Sequence, residues 1–378
     1  MPDALRILQL NSARKYIGEA AHTLNLTEAL RREGHAVWLG LRKGYETIER
    51  AQARGLEPAG FHMPHRWWPP QDGRDIVRIA RMIREQRIDV VHAHRGKDHW
   101  QAVFAAKLVR RRVPVLRTRH VVTPWSGNPA NRWLARRTAA LICVSRAVEQ
   151  DVRRTGMFDE PRVAMIPGGI DLALFTPAPQ ERRAKSRTSL DLSADAEVVV
   201  CVARFAVVKA HRVLIEAWKV IAAARPAARL LLVGDGPLLE RSRQQVTEAG
   251  LSSSIAFLGK RSDVPAILDA ADAGVLSSVG SEGFSRAVLE YMAAGLPAVG
   301  TRVGAVPDLI DDGVHGFVVP PENPADLSAA LLRVLEANAE QRRAWGAAAR
   351  AKAEQSHGYA AWARRHAELY RRVLSALK

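Results

Sequence analysis

Short runs of β-branched and aliphatic residues alternate with helical patterns along this chain, and the alternation occurs twice. In the first half the predicted strands are 5–10, 36–40, 88–92, 113–118, 140–144 and 163–166, interleaved with predicted helices 18–33, 73–87, 97–111, 130–137 and 146–155. The second half repeats the rhythm with strands 197–203, 229–233, 254–257, 273–276, 297–300 and 316–319 and helices 209–224, 237–249, 263–270, 283–294, 304–311 and 325–353. Continuous apolar strands separated by helices mean parallel sheets covered on both faces. The expected fold class is therefore α/β, with two doubly wound, Rossmann-like domains facing across a cleft. The first domain is predicted at 1–175 and the second at 191–356, joined by a Pro-containing, charged linker over 176–190. A final segment, 357–378, places Trp362, His366, Leu369, Val373 and Leu377 on one stripe, an amphipathic helix expected to cross back to the first domain.

At 378 residues the chain is long enough for two cores, and 47% apolar with 25% charged residues is ordinary for a globular protein. No apolar run approaches the ~18 residues of a membrane span. Met1-Pro2-Asp3-Ala4 lacks the basic start of a secretory signal, and residues 5–10 read as a strand. Cys143 and Cys201 sit in apolar runs as small buried hydrophobes, which fits a reducing cytoplasm. The net charge of +17 is uneven: residues 1–175 hold 30 Lys and Arg against 17 Asp and Glu. Between His99 and Val148 there are ten basic residues and no acidic one, a field that attracts polyanions.

The chemistry gathers in Glu282-Gly283-Phe284-Ser285 through Glu290. Two carboxylates eight residues apart, if helical between, span about 12 Å. That compares with the reach of a nucleotide sugar, one acid holding sugar hydroxyls and the other ribose hydroxyls. The diphosphate would lie near the helix N-terminus, where free N–H groups and the dipole favour anions. Arg204 and Lys209 leave the strand ending at Ala203 and suit that diphosphate. Gly234 permits a tight turn, and Lys260-Arg261 after Gly259 can face the base. In the first half, Arg119-His120 ends a strand, with His120 a candidate contact to the transferred sugar and Arg119 assigned, with Arg14 and Lys15, to the acceptor. Arg14, Lys15 and Gly18 form the first strand-to-helix loop. His92 and His94 spell His-x-His, but no third ligand at suitable spacing is visible, so no metal is expected and His94 is assigned to an acceptor loop. No Asp-x-Asp occurs to clamp a diphosphate through a metal. Trp67-Trp68, followed by Arg74, Arg78, Arg81 and Arg84 on one helix face, suit a headgroup surface, a glycan or a neighbouring domain.

Arg204 and Lys209, the Glu282–Glu290 motif with Ala293-Ala-Gly-Leu-Pro-Ala-Val after it, and the stretch Ile166-Pro-Gly-Gly-Ile-Asp171 together resemble the family-4 retaining glycosyltransferases of GT-B fold. The resemblance implies an N-terminal acceptor-binding domain and a C-terminal domain for a nucleotide-diphosphate sugar. It implies Arg204 and Lys209 at the diphosphate, Glu282 near the donor sugar, amides of Gly283, Phe284 and Ser285 beside it, Glu290 on the ribose, and His120 on the transferred sugar. Gly18 matches the Gly-rich loop, although Ile17-Gly18 stands where the family usually has Gly-Gly. Ala210 after Lys209 and Ser285 also replace usual glycines. The expected partners are a nucleotide sugar, an anionic glycan or lipid-linked acceptor, and the inner face of the cytoplasmic membrane, with no specific nucleic acid and no cofactor. The competing readings are a nucleotide-sugar epimerase on a related fold and a non-catalytic basic protein that binds membrane or nucleic acid.

Overall fold

A computed structural model of the chain describes residues 4–377 other than Ile17, Pro124 and Ser281. It divides into two compact units: residues 1–169 with 359–378, and residues 170–358.

The first unit runs β1 (Arg6–Asn11), α1 (Gly18–Arg32), β2 (Ala36–Arg42), α2 (Glu46–Gln52), β3 (Ala59–Phe61), α3 (Pro69–Glu85), β4 (Val90–Ala93), α4 (Gly96–Lys107), β5 (Val115–Arg119), α5 (Pro129–Arg136), β6 (Ala140–Cys143), α6 (Arg146–Arg154) and β7 (Val163–Met165). All neighbouring strands pair in parallel, in the order β3-β2-β1-β4-β5-β6-β7. The reversal of strand order falls between β1 and β4.

The second unit runs α7 (Gln180–Ser189), β8 (Glu197–Val202), α8 (His211–Ala224), β9 (Ala228–Val233), α9 (Leu239–Glu248), β10 (Ile255–Gly259), α10 (Val264–Ala270), β11 (Ala273–Leu276), α11 (Arg286–Ala293), β12 (Ala298–Thr301), α12 (Val306–Leu309), β13 (Gly316–Val319), α13 (Pro324–Glu336) and α14 (Ala339–Ser356). Its parallel sheet has the order β10-β9-β8-β11-β12-β13, reversing between β8 and β11. The chain then enters α15 (Tyr359–Ser375), which belongs to the first unit.

The boundary lies at 169/170 rather than 175, and the expected linker over 176–190 holds α7. Its arginines are spent on carboxylates distant in sequence: Arg182 pairs with Asp269 at 2.7 Å, and Arg183 and Arg187 both pair with Asp272, at 2.6 and 2.9 Å. A charged stretch reads as linker when its partners lie eighty residues away. The single helix predicted over 325–353 is two. The chain is extended at Ala337, and the Asn338 side chain accepts from the Gln341 amide at 2.8 Å to cap α14. The short α2 and β3 carry too few residues to show a period and were not predicted.

Helix α15 completes the core of the first unit. Trp362, Ala363, Ala367 and Tyr370 cluster with Leu26, Leu30, Val37 and Leu116. Trp362 is fully buried, and a Cβ on Gly169 would fall 2.3 Å from its ring, so only glycine admits the indole there. We expect Trp362→Ala to cost the first unit about 3–5 kcal/mol. Chemical denaturation should show an earlier transition for that unit while the transition of residues 170–358 stays in place.

Candidate active site

In the second unit the loops that leave β8 and β11 flank the point where strand order reverses, the place where open parallel sheets bind ligands. These two loops are stitched together. The Val279 amide donates to the Val208 carbonyl at 2.9 Å, and the Ser277 hydroxyl donates to the Lys209 carbonyl at 3.0 Å. Lys209 Nζ forms an ion pair with Glu282 Oε1. Glu282 is only 3% exposed, and two further hydroxyls donate to its carboxylate, Ser278 at 2.6 Å and Ser285 at 3.3 Å. Its backbone is pinned too: the Ala305 amide donates to the Glu282 carbonyl at 2.8 Å, and a Cβ on Gly304 would strike that carbonyl at 1.7 Å. Tyr291 of α11 reaches into the gap between the diverging strands. It accepts from the Val202 amide at 2.7 Å and donates to the Val275 carbonyl at 3.3 Å.

The loop expected for Glu282 and the helix expected for Glu290 are both present, and the helix predicted from 283 begins three residues later. Helix α11 starts at Arg286, so Glu282 stands in the preceding loop and Glu290 in the second turn. Glu290 is buried, desolvation pushes its carboxyl up from the ordinary range, and Arg286 holds it at 2.8 Å. Gly283 and Ser285 are buried at the head of the same helix, with Phe284 partly buried. Arg204 is exposed beyond β8. Gly234 follows β9 at φ +148, and a Cβ there would meet the Ala203 carbonyl at 2.0 Å, which places its turn against the start of the Arg204 loop. Lys260 and Arg261 are exposed after β10, and Arg261 is paired with Asp263 at 2.6 Å. Ala210, in the position where glycine was the familiar residue, takes the left-handed backbone at φ 47 and keeps the turn.

In the first unit the carboxyl edge around β1, β4 and β5 carries a group of imidazoles. His94 donates from Nε2 to Gln9 Oε1 at 2.6 Å, and its Nδ1 lies 3.3 Å from Nε2 of His120. His22 of α1 meets the His120 ring edge-on at 4.6 Å between centroids. His92 stacks on His94 at 4.3 Å and hydrogen-bonds Tyr370 and Thr118, each at 2.7 Å. Two acceptor assignments are thereby corrected. His94 is buried within this group instead of lining an exposed loop, and Arg119, 5% exposed, is committed to Asp151 at 3.3 Å and to the Thr123 carbonyl. Arg14 and Lys15 are exposed in the loop after β1 and Gly18 is exposed as the first residue of α1, while Ile17 lies outside the described residues. Trp67 and Trp68 are 49% and 58% exposed, and Trp67 lies edge-on to Phe104 with Lys97 Nζ 4.1 Å above its ring. Both cysteines are free and buried, each thiol pushed up to about 12 by burial.

Sequence reasoning missed Ser278, Tyr291, Gly304 and His22. Tyr291, Gly304 and His22 act through partners on other elements, which no local spacing announces, and Ser278 bonds Glu282 four residues on within one loop.

Two parallel doubly wound units, the second with a partly buried ion pair at its switch point, make up a GT-B fold. Residues 18–174 match the model of Glycosyltransferase Family 4, and residues 196–337 match that of the group 1 glycosyl transferases. The chain is 30% identical over 287 residues to a D-inositol 3-phosphate glycosyltransferase of Actinosynnema mirum, covering 68% of this chain and 67% of that one. It is 28% identical over 279 residues to the UDP-Gal:alpha-D-GlcNAc-diphosphoundecaprenol alpha-1,3-galactosyltransferase of Escherichia coli, covering 70% and 71%. The fold matches that of Anabaena HepE, solved in complex with UDP, with TM-score 0.83 and 22% identity over 96% of this chain and 99% of that one. The chain belongs to the family-4, group 1 glycosyltransferases.

The imidazoles set a pH limit on the first unit. Burial holds His120 near 3 and His366 near 4, and His22, His92 and His94 well below their ordinary value. Unfolded imidazoles titrate near 6.5. Below that pH the unfolded chain takes up protons the folded unit refuses, so stability is complete above about 6.5 and falls as pH drops toward the folded values. Urea midpoints for the first unit should fall between pH 7.5 and pH 5. The slope should be steeper than the about 1.4 kcal/mol per pH unit of a single imidazole.

Proposed function

We propose that the protein is a retaining, metal-independent glycosyltransferase. It moves a hexose-type sugar from a nucleoside-diphosphate donor to an anionic cell-envelope acceptor, a lipopolysaccharide core or a lipid-linked glycan. The observation that carries this reading is the Lys209–Glu282 pair, buried at the switch point of the second sheet. Lys209 and Arg204 neutralise the diphosphate as the glycosidic bond breaks and charge collects on the leaving oxygen. Two fixed cations and the amides at the head of α11 take the part that a metal plays in other transferases. Glu282 holds sugar hydroxyls, Glu290 the ribose, and His120, neutral at every physiological pH, a hydroxyl of the transferred sugar. The acceptor attacks from the face the leaving group departs, and the leaving phosphate takes its proton, which retains configuration.

Support for an envelope acceptor comes from the first unit. Trp67, Phe104, Trp100 and Trp133 form a continuous ladder with centroid spacings of 6.1, 5.8 and 5.7 Å. Lys107 and Arg137 lie 5.3 and 4.1 Å from the Trp133 ring. Aromatic rings interleaved with cations suit the headgroup layer of an anionic membrane, and the E. coli relative is named for a diphosphoundecaprenol-linked acceptor. We place the enzyme at the inner face of the cytoplasmic membrane, as a peripheral protein.

The donor is identified by thermal shift against UDP-, GDP-, ADP- and dTDP-sugars, the bound one raising the melting temperature by mass action. With that donor and envelope extract, Lys209→Ala and Glu282→Ala should each lower kcat/KM by about 100-fold or more. Conversion of the donor with no acceptor present, or transfer indifferent to both changes, sinks the proposal. Separately, flotation with vesicles containing anionic lipid should carry the protein up at low salt. Trp67→Ala with Trp68→Ala should weaken that binding about tenfold, and equal binding by both proteins would refute the membrane face.

A further inference from the structure

His22, His94 and His120 come from three elements, α1 and the loops after β4 and β5, and each offers a ring nitrogen within 4.8 Å of the other two. The closest pair, His94 Nδ1 and His120 Nε2, stands 3.3 Å apart. Around a tetrahedral zinc with Zn–N bonds of about 2.0 Å, ligand nitrogens are separated by about 3.3 Å. That pair already has the spacing of two ligands on one ion, and the third, within 4.8 Å of both, needs to approach by at most about 1.5 Å.

A buried amide orients one of these rings. Gln9, fully buried on β1, accepts a hydrogen bond from His94 Nε2–H at 2.6 Å through its Oε1 and so leaves the Nδ1 lone pair toward His120. An outer carbonyl oxygen fixing tautomer and ring orientation is the usual companion of a ligating histidine. Two cations face His120: Arg95, which is paired with Glu19, and Arg117, which lies in the field of Asp98 and Glu19. His65 and His62 lie elsewhere in the unit, in the loop before α3.

We propose that His22, His94 and His120 bind a borderline-soft divalent cation of the zinc class, and that the bound ion suppresses sugar transfer by occupying the imidazole nitrogen of His120. Three imidazoles leave one tetrahedral position open for water. The ion is an inhibitor of a reaction that proceeds without metal. The binding half stands on geometry alone, and the inhibitory half rests on the transferase reading and its role for His120.

The test uses tag-free full-length protein and zinc chloride, titrated in competition with a chromophoric chelator. Cobalt(II) serves as a second probe, since four-coordinate cobalt absorbs visibly. We expect one tight equivalent per chain and a four-coordinate cobalt spectrum. Gln9→Leu should weaken affinity by about 10–100-fold. His22→Gln and His94→Gln should weaken it further and abolish the spectrum, while His65→Gln leaves both in place. Gln9→Leu keeps the comparison decisive if either histidine variant fails to fold. No stoichiometric binding, or tight binding that survives His94→Gln and Gln9→Leu unchanged, overturns the site. Zinc should also lower transfer in parallel with occupancy, and excess chelator should restore it. Full occupancy with undiminished transfer overturns the inhibitory half. Absence of transfer under every metal-free condition counts against the transferase reading and leaves the binding result standing.

Discussion

The contact between Lys209 and Glu282 is the constraint around which the second unit is arranged. A carboxylate removed from water costs several kcal/mol unless charge and hydrogen bonds replace the solvent. Here the replacement is complete in kind: one ammonium, two serine hydroxyls and the head of a helix. The two serines share the loop between β11 and α11 with Glu282, while the ammonium comes from another loop. The ammonium follows β8, Ser278 follows β11, Ser285 precedes α11, and Gly304 after β12 leaves the space in which the Glu282 carbonyl is held. The pair forms only because β8 and β11 are neighbours although three helices and two strands separate them in the chain. Tyr291 keeps them at that spacing by bonding to both.

The first unit uses the same topology with different chemistry. Its order also reverses between two non-consecutive strands, β1 and β4, and polar groups again collect at their carboxyl ends. Neutral imidazoles fill that edge in place of an ion pair, held in a dry setting by α15. One sheet edge is therefore suited to anions. The other offers uncharged nitrogen donors to hydroxyls, or to a metal ion.

Much of this was legible from pattern alone. Apolar period identified most of the strands to within two residues, and β8 and β9 nearly end to end, because buried parallel strands tolerate little but aliphatic residues. Glycines, prolines and the Glu282–Glu290 spacing picked out the loops that carry the ion pair. The errors have a shared cause. Helix α7 reads as linker since its arginines find their carboxylates at Asp269 and Asp272. The start of α11 was set too early because Gly283 and Phe284 fit an apolar run without being helical. His22 and His120 reach His94 through the fold and not through spacing.

The sequence by itself determined the class of fold, the family and the two charged residues at the second switch point, because these depend on period, composition and short spacing. Tertiary structure alone decided which buried groups meet: that Arg119 is a strap, that Glu290 is held by Arg286, that Trp362 closes the core of a unit it enters from the far end of the chain. Side-chain chemistry is written locally, while the desolvation and pairing that give it a role depend on contacts between segments distant along the chain.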